Sequence, residues 1–382
     1  MNTSPIIIIG SGLAGYMLAK EFRQLDKITP LHIITASDGR FYSKPLLSTA
    51  LTNSKHPDNL AIADAATMAT QLDATIQTST TVSAIKSDEN CIVIQQEKIN
   101  YQKLILACGA ETIKLPIKGD ANKDILAVND LTSYIAFHKA LNGKKRIVIL
   151  GAGLVGCEFA NDLINVGHEV TVVAPAKFPL DSFLPEKIAL LLQQTLTENG
   201  VNWHLQQTVD TVNRIKQDYE ITLSSGQKLN ADVILSAVGL QPNNSLAKQA
   251  GIRVNRGINV NRFLETSINN IYALGDCAEV NSLVLLYVAP LLTCARALAK
   301  TLAGQATPVS YAAMPIVIKT PACPIVAVPQ PRDTEGEWLI MGSDKNLTAL
   351  FYDKNNQLRG FALTGKATSE KLALQKQLPP MF

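Results

Sequence analysis

The sequence predicts an α/β protein with two Rossmann-like dinucleotide-binding domains and a small C-terminal α+β domain. Two observations indicate this fold class: strands and helices alternate along most of the chain, and a glycine-rich turn follows a strand at two separate places. A third observation is that the sequence pattern changes from Tyr311 onward. Prolines and short strand-like runs there predict a smaller unit that ends in a helix over 367–376. Such alternation is typical of parallel sheets covered by helices.

Short β-branched runs predict the strands of the two sheets. We expect these strands at 6–9, 31–35, 104–108, 146–150, 170–173 and 233–238. Helical patterns over 13–25 and 154–166 follow the first strand of each half of the chain. Each half therefore begins with a strand that leads through a turn into a helix.

Composition limits the classes of function. The chain has 382 residues, 47% of them apolar and 18% charged, which is enough for more than one buried core. Its net charge of +3 gives no reason to expect nucleic acid as a partner. The N-terminus lacks a basic segment before its apolar run, and the apolar run at 283–299 contains Pro290 and Arg296 and is too short to span a bilayer. We expect a cytoplasmic protein without membrane insertion.

The cysteines are scattered singly. They are Cys91, Cys108, Cys157, Cys277, Cys294 and Cys323. Because no two form a C-x-x-C pair, the sequence argues against a zinc site, a thioredoxin-type redox pair and a disulfide framework. We interpret them as buried, reduced thiols and expect no metal site.

Two glycine-rich turns stand where a strand leads into a helix. Their glycines follow the pattern G-x-G-x-x-G, with Gly10, Gly12 and Gly15 in the first turn and Gly151, Gly153 and Gly156 in the second. The first glycine of such a turn allows the tight bend, the second lets backbone approach a pyrophosphate, and the third lets the helix pack on the strand. One such turn is weak support for nucleotide binding, whereas two in the same strand–turn–helix context are strong.

Neither turn is followed by the acidic residue that usually binds the ribose hydroxyls. Thr35 and Ala36 stand at the expected place after the first turn, and Ala174 stands there after the second, with Lys177 nearby. We therefore expect ribose recognition by backbone groups or by other side chains. Because the missing acid usually repels the extra phosphate of NADPH, the sequence leaves NADH and NADPH open, with NADH preferred.

Two dinucleotide turns predict two dinucleotides. FAD together with a nicotinamide nucleotide is the simplest combination, because hydride then passes from nicotinamide to flavin and the protein mainly positions the rings. We therefore predict a flavoprotein oxidoreductase in which the FAD carries the hydride and no side chain is the catalytic group.

Four further segments point to a family. They are "YSKPLLS" (42–48), "LILACGAE" (104–111), "LSAVGLQPN" (235–243) and "NNIYALGDCAEV" (269–280). Together with the two turns they resemble the glutathione-reductase-like FAD/NAD(P)H reductases, in the branch that reduces small iron–sulfur proteins. The segments "KTPACP" and "EKLALQKQLP" extend the resemblance over nearly the whole chain.

The resemblance implies which residues bind FAD. Lys44 and Pro45 are expected beside the isoalloxazine ring, Asp276 at the ribityl chain, and the amide of Val288 at the O2 side of the ring, where a helix N-terminus stabilises negative charge. Val82 is expected to meet the adenine through its backbone. The remaining residues of the set are Ile9, Gly10, Gly12, Leu13, Ala14, Gly15, Thr35, Ala36, Ala107, Gly109 and Gly275.

The resemblance also implies residues for NAD(P)H. These are Gly151, Gly153, Leu154, Val155, Gly156, Val238 and Gly239. Glu158 is expected against the flavin and nicotinamide, although an exposed first-turn carboxylate favoured by the helix dipole is the alternative. Lys319 is expected near the flavin, with a solvated strand lysine as the alternative.

The electron acceptor implied by the resemblance is rubredoxin, an acidic iron protein that would bind in a transient complex. Electrons would pass from NADH through FAD to rubredoxin one at a time and supply an alkane hydroxylase in alkane degradation. A disulfide relay is not expected, since Cys91 and Cys108 are too far apart in sequence to form its thiol pair. A basic rim beside the flavin would steer rubredoxin, and its candidates are Arg40, Lys44, Arg296 and Lys300.

The domain boundaries follow from the same segments. We expect a discontinuous FAD-binding domain at 1–112 and 243–309, an NAD(P)H-binding domain at 113–242, and a C-terminal domain at 310–382 that covers the flavin. The protein is expected to be a monomer. Two alternatives stay open: a reductase whose partner is a ferredoxin or a flavorubredoxin, and a redox sensor that binds both nucleotides and signals by conformation.

Overall fold

A computed structural model describes residues 4–382 as a mixed α/β fold. The α-helices of this part of the chain are α1 (Leu13–Leu25), α2 (Ala65–Leu72), α3 (Leu131–Ala140), α4 (Leu154–Asn165), α5 (Glu186–Glu198), α6 (Ser245–Gln249), α7 (Val288–Leu302) and α8 (Lys371–Gln375). Among the described residues, no helix is both long and apolar enough to cross a membrane.

The first sheet has five parallel strands with Ile6–Ile9 at its centre. In spatial order the strands are Ile271–Ala273, Lys103–Leu106, Ile6–Ile9, Leu31–Ile34 and Thr75–Gln77. The central strand is four isoleucines long and buried throughout, as expected where helices cover both faces of a parallel sheet. Helix α1 follows this strand and packs against α7, so that residues far apart in sequence meet beside the first turn.

The second sheet repeats this arrangement. Its parallel strands, in spatial order, are Leu126–Ala127, Val233–Ser236, Arg146–Leu150, Glu169–Ala174 and Val201–Leu205. Helix α4 follows the central strand and packs on its neighbour Glu169–Ala174. The second glycine turn therefore occupies the same position in this sheet as the first turn does in the other.

The third sheet is antiparallel and lies in the C-terminal part of the chain. In spatial order its strands are Ile316–Ile318, Ile325–Val328, Leu358–Thr364, Asn346–Asp353 and Gly336–Ser343. One face of this sheet joins the hydrophobic core of the second sheet, in which Ala327 and Ala349 are buried together with Phe159 and Leu192. The C-terminal part is thus packed onto the helices of the second sheet.

The remaining strands form smaller sheets of two or three strands. They are Phe41–Tyr42, Ala61–Ala63, Ala84–Lys86, Cys91–Ile94, Glu97–Asn100, Ala110–Thr112, Val209–Ile215, Asp218–Leu223, Lys228–Ala231, Leu240–Pro242, Ile258–Val260 and Ala278–Val280. Ala110–Thr112 and Leu240–Pro242 pair in antiparallel fashion, Thr112 opposite Leu240. The chain therefore leaves and re-enters the region of the first sheet through two adjacent segments.

The predicted fold class is confirmed, and a few element boundaries are corrected. The strands predicted over 104–108 and 233–238 end at Leu106 and Ser236, because their partners Ile9 and Leu150 end there and turn away into the glycine turns. The C-terminal helix predicted over 367–376 is a 3-10 helix, Gly365–Glu370, followed by the short α8.

Candidate functional site

The first glycine turn closes tightly around the end of the central strand. Gly10 has φ +115°, and a Cβ there would lie 2.2 Å from the Ala107 carbonyl oxygen. A Cβ on Gly15 would lie 2.0 Å from the Gly10 oxygen, so α1 approaches the strand as closely as backbone allows. By contrast, a Cβ on Gly12 would meet nothing within 4 Å. Helix α1 starts there without a side-chain cap, so its first amides face open space.

The second turn has the same geometry. A Cβ on Gly151 would lie 2.6 Å from the Ala237 oxygen, and one on Gly156 would lie 2.1 Å from the Gly151 oxygen. Gly153 again faces open space at an uncapped helix N-terminus. Free amides and a positive helix end without a side chain in front of them fit a pyrophosphate, so both turns suit a dinucleotide.

The other residues predicted from the turns surround them. Ile9 ends the central strand, Leu13 and Leu154 are the first residues of their helices, and Ala14 is buried behind the first turn. Val155 is exposed beside the second turn. Gly109, Val82, Val238 and Gly239 lie in the loops that leave the strands of the two sheets.

A hydroxyl cluster occupies the place of the missing ribose acid after the first turn. Ser11 Oγ donates to Thr35 Oγ1 at 2.9 Å, and the hydroxyls of Thr35 and Ser37 are 3.0 Å apart. The Thr35 amide is already bonded to the Gln77 oxygen at 2.9 Å, while Ala36 is exposed beside it. Sequence reasoning missed Ser11 and Ser37, although serines on both sides of the turn are a readable signal.

Lys44 and Asp276 are half-buried groups of opposite charge near the C-terminal edge of the first sheet. Burial lowers the pKa of the Lys44 amine, opposed by the charges of Asp276 and Asp130, and burial raises the pKa of the Asp276 carboxyl, opposed by Lys44. Lys44 begins the 3-10 helix Lys44–Thr49, and Asp276 lies in the turn Gly275–Cys277. The charges of Lys44 and Asp276 therefore act on each other, which brings two of the residues expected to bind FAD into one region of the fold.

Helix α7 starts where its N-terminus was predicted. Val288 is its first residue, and the preceding Tyr287 provides no side-chain cap. The helix amides at this end are therefore free to bond a ligand, as the prediction for Val288 requires.

Glu158 is buried, not exposed. Only 1% of the residue is accessible, and its carboxylate accepts from Ser48 Oγ at 2.6 Å and from the Lys319 amide at 3.0 Å, and pairs with Lys319 Nζ. Lys319 Nζ also donates to the Pro45 oxygen at 2.8 Å and to Ser48 Oγ at 2.7 Å. The alternatives of an exposed first-turn carboxylate and a solvated lysine are both wrong. The ion pair and Ser48 were not foreseen from the sequence.

A cavity of about 360 Å³ lies beside this ion pair, between α4, the 3-10 helix Lys44–Thr49 and the turn after Ile316–Ile318. Asn161 and Asp162 of α4 line it and are both buried. Asn161 Oδ1 accepts from the Ala322 amide at 3.2 Å, and the Asp162 carboxylate accepts from the amides of Leu51 and Thr52 at 3.1 and 2.8 Å. One face of α4 therefore binds both neighbouring parts of the chain.

The thiols give no sign of a disulfide relay. All six cysteines lie in the described part of the chain and are free, five of them buried and Cys108 half-buried. Burial raises the pKa of Cys108 to about 12, and burial followed by the neighbouring Cys108 raises the pKa of Cys277. Thiols with a raised pKa are poor nucleophiles, so Cys108 and Cys277 should react more slowly than an ordinary thiol.

The predicted basic rim is only partly exposed. Arg40 pairs with Asp38 at 2.7 Å and Arg296 with Glu21 at 3.4 Å, while Lys44 is half-buried. Lys300 is exposed one turn after Arg296 on α7. Partial neutralisation leaves Lys300 as the clearest candidate for long-range attraction.

Comparison with known proteins identifies the family. Residues 4–297 match the family described as pyridine nucleotide-disulphide oxidoreductase, and residues 308–378 match the rubredoxin binding C-terminal domain. The chain is 46% identical to a rubredoxin-NAD(+) reductase of Alcanivorax borkumensis, with 99% of both chains covered. It is 37% identical to a nitric oxide reductase FlRd-NAD(+) reductase of Aliivibrio fischeri, with 98% of both covered.

Solved structures share the fold. The ferredoxin reductase for the CYP199A2 system of Rhodopseudomonas palustris is 24% identical and has a TM-score of 0.90. The match covers 98% of this chain and 95% of the reductase. The chain therefore belongs to the pyridine nucleotide-disulphide oxidoreductase family, and the prediction of FAD and NAD as its cofactors is confirmed.

Proposed function

We propose that this chain is a rubredoxin-NAD(+) reductase that passes electrons from NADH through FAD to rubredoxin, one at a time. The observation that carries the choice of acceptor is the match of residues 308–378 to the rubredoxin binding C-terminal domain. The relative from Alcanivorax borkumensis, similar over its whole length, bears the corresponding name. The proposal includes supply of an alkane hydroxylase in alkane degradation, which the implied acceptor would serve.

Bound FAD would supply the chemistry, since it accepts a hydride from NADH and releases electrons singly. The side chains of this protein bind and orient. Gly12 and Gly153 leave room for the two pyrophosphates, and Asp276 and Lys44 would hold polar groups of the FAD at the edge of the first sheet. The free N-terminus of α7 at Val288 would stabilise negative charge on the ring.

In this proposal Glu158 fixes the Lys319 amine close to Pro45. The Lys319 amine is held at the Pro45 carbonyl, and Pro45 is one of the residues expected beside the ring. A positive group near the ring favours its reduced, anionic form. Because the carboxylate of Glu158 fixes the amine, the pair is a positioning device and not an acid–base group in this account.

The domain division supports the proposed route. We assign 1–112 and 243–309 to FAD, 113–242 to NAD(P)H, and 310–382 to a domain that covers the flavin. The pairing of Ala110–Thr112 with Leu240–Pro242 places the two crossing segments side by side. The strand Ile271–Ala273 pairs with Lys103–Leu106 and so completes the first sheet from the far side of the inserted part.

A flavorubredoxin is the second candidate acceptor. The similarity to the FlRd-NAD(+) reductase of Aliivibrio fischeri, at 37% identity over nearly the whole chain, favours it. For either acceptor we propose a transient complex with a monomeric reductase in the cytoplasm. The free cysteines agree with a reducing compartment.

Rapid mixing distinguishes the acceptors. The FAD-loaded protein is reduced with NADH under anaerobic conditions and then mixed with oxidised rubredoxin, with a flavorubredoxin or with a two-iron ferredoxin, while flavin absorbance is followed. We expect fast bleaching by NADH and fastest reoxidation by rubredoxin. Reoxidation by the flavorubredoxin or ferredoxin alone would replace the acceptor and keep the route. Bleaching with no reoxidation by any of the three would favour a redox sensor and contradict the proposal.

A further inference from the structure

The loop between the strand Glu169–Ala174 and helix α5 is bonded to the second glycine turn. The Leu180 amide donates at 2.9 Å to the oxygen of Ala152, the residue between the first two glycines of that turn. The amides of Phe183 and Leu184 donate in turn to the Leu180 oxygen, at 2.8 and 2.9 Å. Backbone hydrogen bonds therefore connect the turn to Phe183.

Leu180 holds this loop in one conformation. Its φ is +56°, in the left-handed region, which costs a residue with a side chain about 1–2 kcal/mol. Such a conformation persists only where the surroundings impose it. Leu180 and Leu184 are both buried in the hydrophobic core of the second sheet, so the fold fixes the part of the loop that carries Phe183.

The Phe183 side chain contacts Tyr287 in the part of the chain assigned to FAD. The two ring centroids lie 6.3 Å apart and the ring planes meet at 83°, an edge-to-face arrangement at a separation at which aromatic rings attract each other. Both residues are half-buried. Tyr287 directly precedes Val288, the first residue of α7, whose amide is expected at the O2 side of the flavin. The contact therefore joins the second turn to the flavin end of α7.

Hydride transfer depends on how closely the two nucleotide rings approach. The reacting atoms must come within about 3–3.5 Å of each other, and a misplacement of about 1 Å can slow such a step a hundredfold. The two glycine turns belong to different sheets, so contacts between the two segments of chain set the separation of the rings. The contact of Phe183 with Tyr287 is one of these, and it starts from the backbone of the second turn.

We propose that Phe183 is a positioning residue for hydride transfer, which acts through Tyr287 by setting how closely the second turn approaches the N-terminus of α7. The contact controls the rate of the hydride step, while the strength of nucleotide binding is set by the turn itself. Neither ring exchanges a proton or an electron in this role. The inference rests on the assignment of the two turns in the proposed function.

Transient kinetics and binding together test the inference. FAD-loaded wild type, Phe183→Ala, Tyr287→Leu, Tyr287→Phe and the double variant Phe183→Ala/Tyr287→Leu are mixed with increasing NADH under anaerobic conditions, and flavin bleaching gives a limiting rate for each. Two measurements need no turnover. Calorimetric titration with ADP-ribose gives a Kd, and the difference spectrum of the oxidised flavin on addition of NAD⁺ reports the approach of nicotinamide to the ring.

Phe178→Ala is the matched control. Phe178 is a half-buried phenylalanine of the same loop, and its ring centroid lies 5.9 Å from Lys177 Nζ. Flavin absorbance confirms that each variant is folded and loaded. Because Tyr287→Leu removes the other ring of the pair, it tests the same contact independently of Phe183→Ala.

We expect Phe183→Ala and Tyr287→Leu each to lower the limiting rate by about tenfold and to weaken the NAD⁺ difference spectrum. The Kd for ADP-ribose should stay within about twofold of wild type. The double variant should be no slower than the single variants, because all three lose the same contact. Tyr287→Phe, which keeps the ring, and Phe178→Ala should both match wild type.

Three results would overturn the inference alone. They are limiting rates of Phe183→Ala and Tyr287→Leu within about twofold of wild type, an equal loss of rate in Phe178→Ala, and a loss of ADP-ribose affinity as large as the loss of rate. A loaded wild-type protein that neither binds ADP-ribose nor is bleached by NADH would instead overturn the assignment of the turns in the proposed function.

Discussion

Glu158 of helix α4 and Lys319, the residue after the strand Ile316–Ile318, form an ion pair across 161 residues of sequence in which the carboxylate is buried. Ser48 donates to the same carboxylate, and the Lys319 amine reaches the Pro45 oxygen. Segments assigned to the two nucleotides and to the acceptor domain therefore meet at one carboxylate. The pair links the nucleotide-binding helix to the C-terminal sheet.

Replacing Lys319 with Met should destabilise the protein. The substitution leaves the Glu158 carboxylate buried without its counter-charge, so the free energy of unfolding should fall by about 3 kcal/mol. Urea unfolding followed by circular dichroism measures it. Lys345→Met removes an exposed amine 3.9 Å from Glu198 and serves as control, with an expected change under about 0.5 kcal/mol. Equal losses in the two variants would contradict a buried, stabilising pair.

The two nucleotide sites should be separable by substitution at the middle glycines. Val at Gly12 or at Gly153 meets no protein atom near its Cβ, so each variant should fold, with a penalty of about 1 kcal/mol at the helix start. Gly12→Val should purify without FAD. Gly153→Val should retain FAD and lose reduction by NADH. Absorbance spectra with and without NADH show both results, and loss of FAD from Gly153→Val would contradict the assignment of the turns.

The third glycine of the second turn should behave differently from the middle one. A Cβ on Gly156 would lie 2.1 Å from the Gly151 oxygen, so Gly156→Ala forces α4 away from the strand and should lower the free energy of unfolding by about 2–3 kcal/mol. Gly153→Ala is the matched control because its Cβ enters open space. Thermal unfolding in the same buffer gives the melting temperatures of the two variants, and Gly156→Ala should melt at the lower temperature. Similar melting temperatures would show that the close helix–strand approach is wrong.

The carboxyl of Asp162 should give stability a dependence on pH. Burial raises its pKa above the ordinary 3.8, against the hydrogen bonds from Thr52 and Leu51 and the charge of Lys319. The folded state then binds the proton more tightly than the unfolded state, so the contribution of this group is full at low pH and is lost as pH rises through the raised pKa. The free energy of unfolding of Asp162→Asn should therefore rise relative to that of wild type as pH increases from about 4 toward 8. Urea unfolding across that range measures the difference in free energy of unfolding between the variant and wild type. A variant that loses stability relative to wild type as the pH rises would contradict the raised pKa.

Charge reversal on α7 should weaken the encounter with an acidic acceptor. Lys300→Glu and Arg296→Glu should each raise the KM for rubredoxin by about three- to tenfold at low salt, because each reversal removes a positive charge and adds a negative one, and the second also leaves Glu21 without its partner. The effect should fade as salt is added. Lys228→Glu, on the strand Lys228–Ala231 of another sheet, is the control. Equal KM values for all variants would remove α7 from the docking surface.

The fold class and the two glycine turns could be predicted from local patterns in the sequence. The run of isoleucines before Gly10 and the spacing of the glycines depend only on neighbouring residues, and they led to the correct helix α1. The start of α7 at Val288 was instead implied by the family resemblance. The hydroxyl of Ser11 was overlooked because serine carries many roles in a turn. Its bond to Thr35 appears only when the two strands pair.

Long-range contacts could not be predicted in this way. The burial of Glu158 depends on Ser48 and Lys319, which approach it from 110 and 161 residues away. A first-turn glutamate next to glycines is favoured on a solvent-exposed helix start as well, so the local pattern did not decide its exposure. The packing of the third sheet on α4 decides it.

In the proposed function, electrons enter as a pair from NADH and leave singly to rubredoxin. The most direct measurement is an anaerobic stoichiometry, in which NADH oxidation and rubredoxin reduction are followed together at catalytic concentrations of the FAD-loaded protein. We expect two molecules of rubredoxin to be reduced for each NADH oxidised. NADH oxidation that leaves rubredoxin oxidised would contradict it.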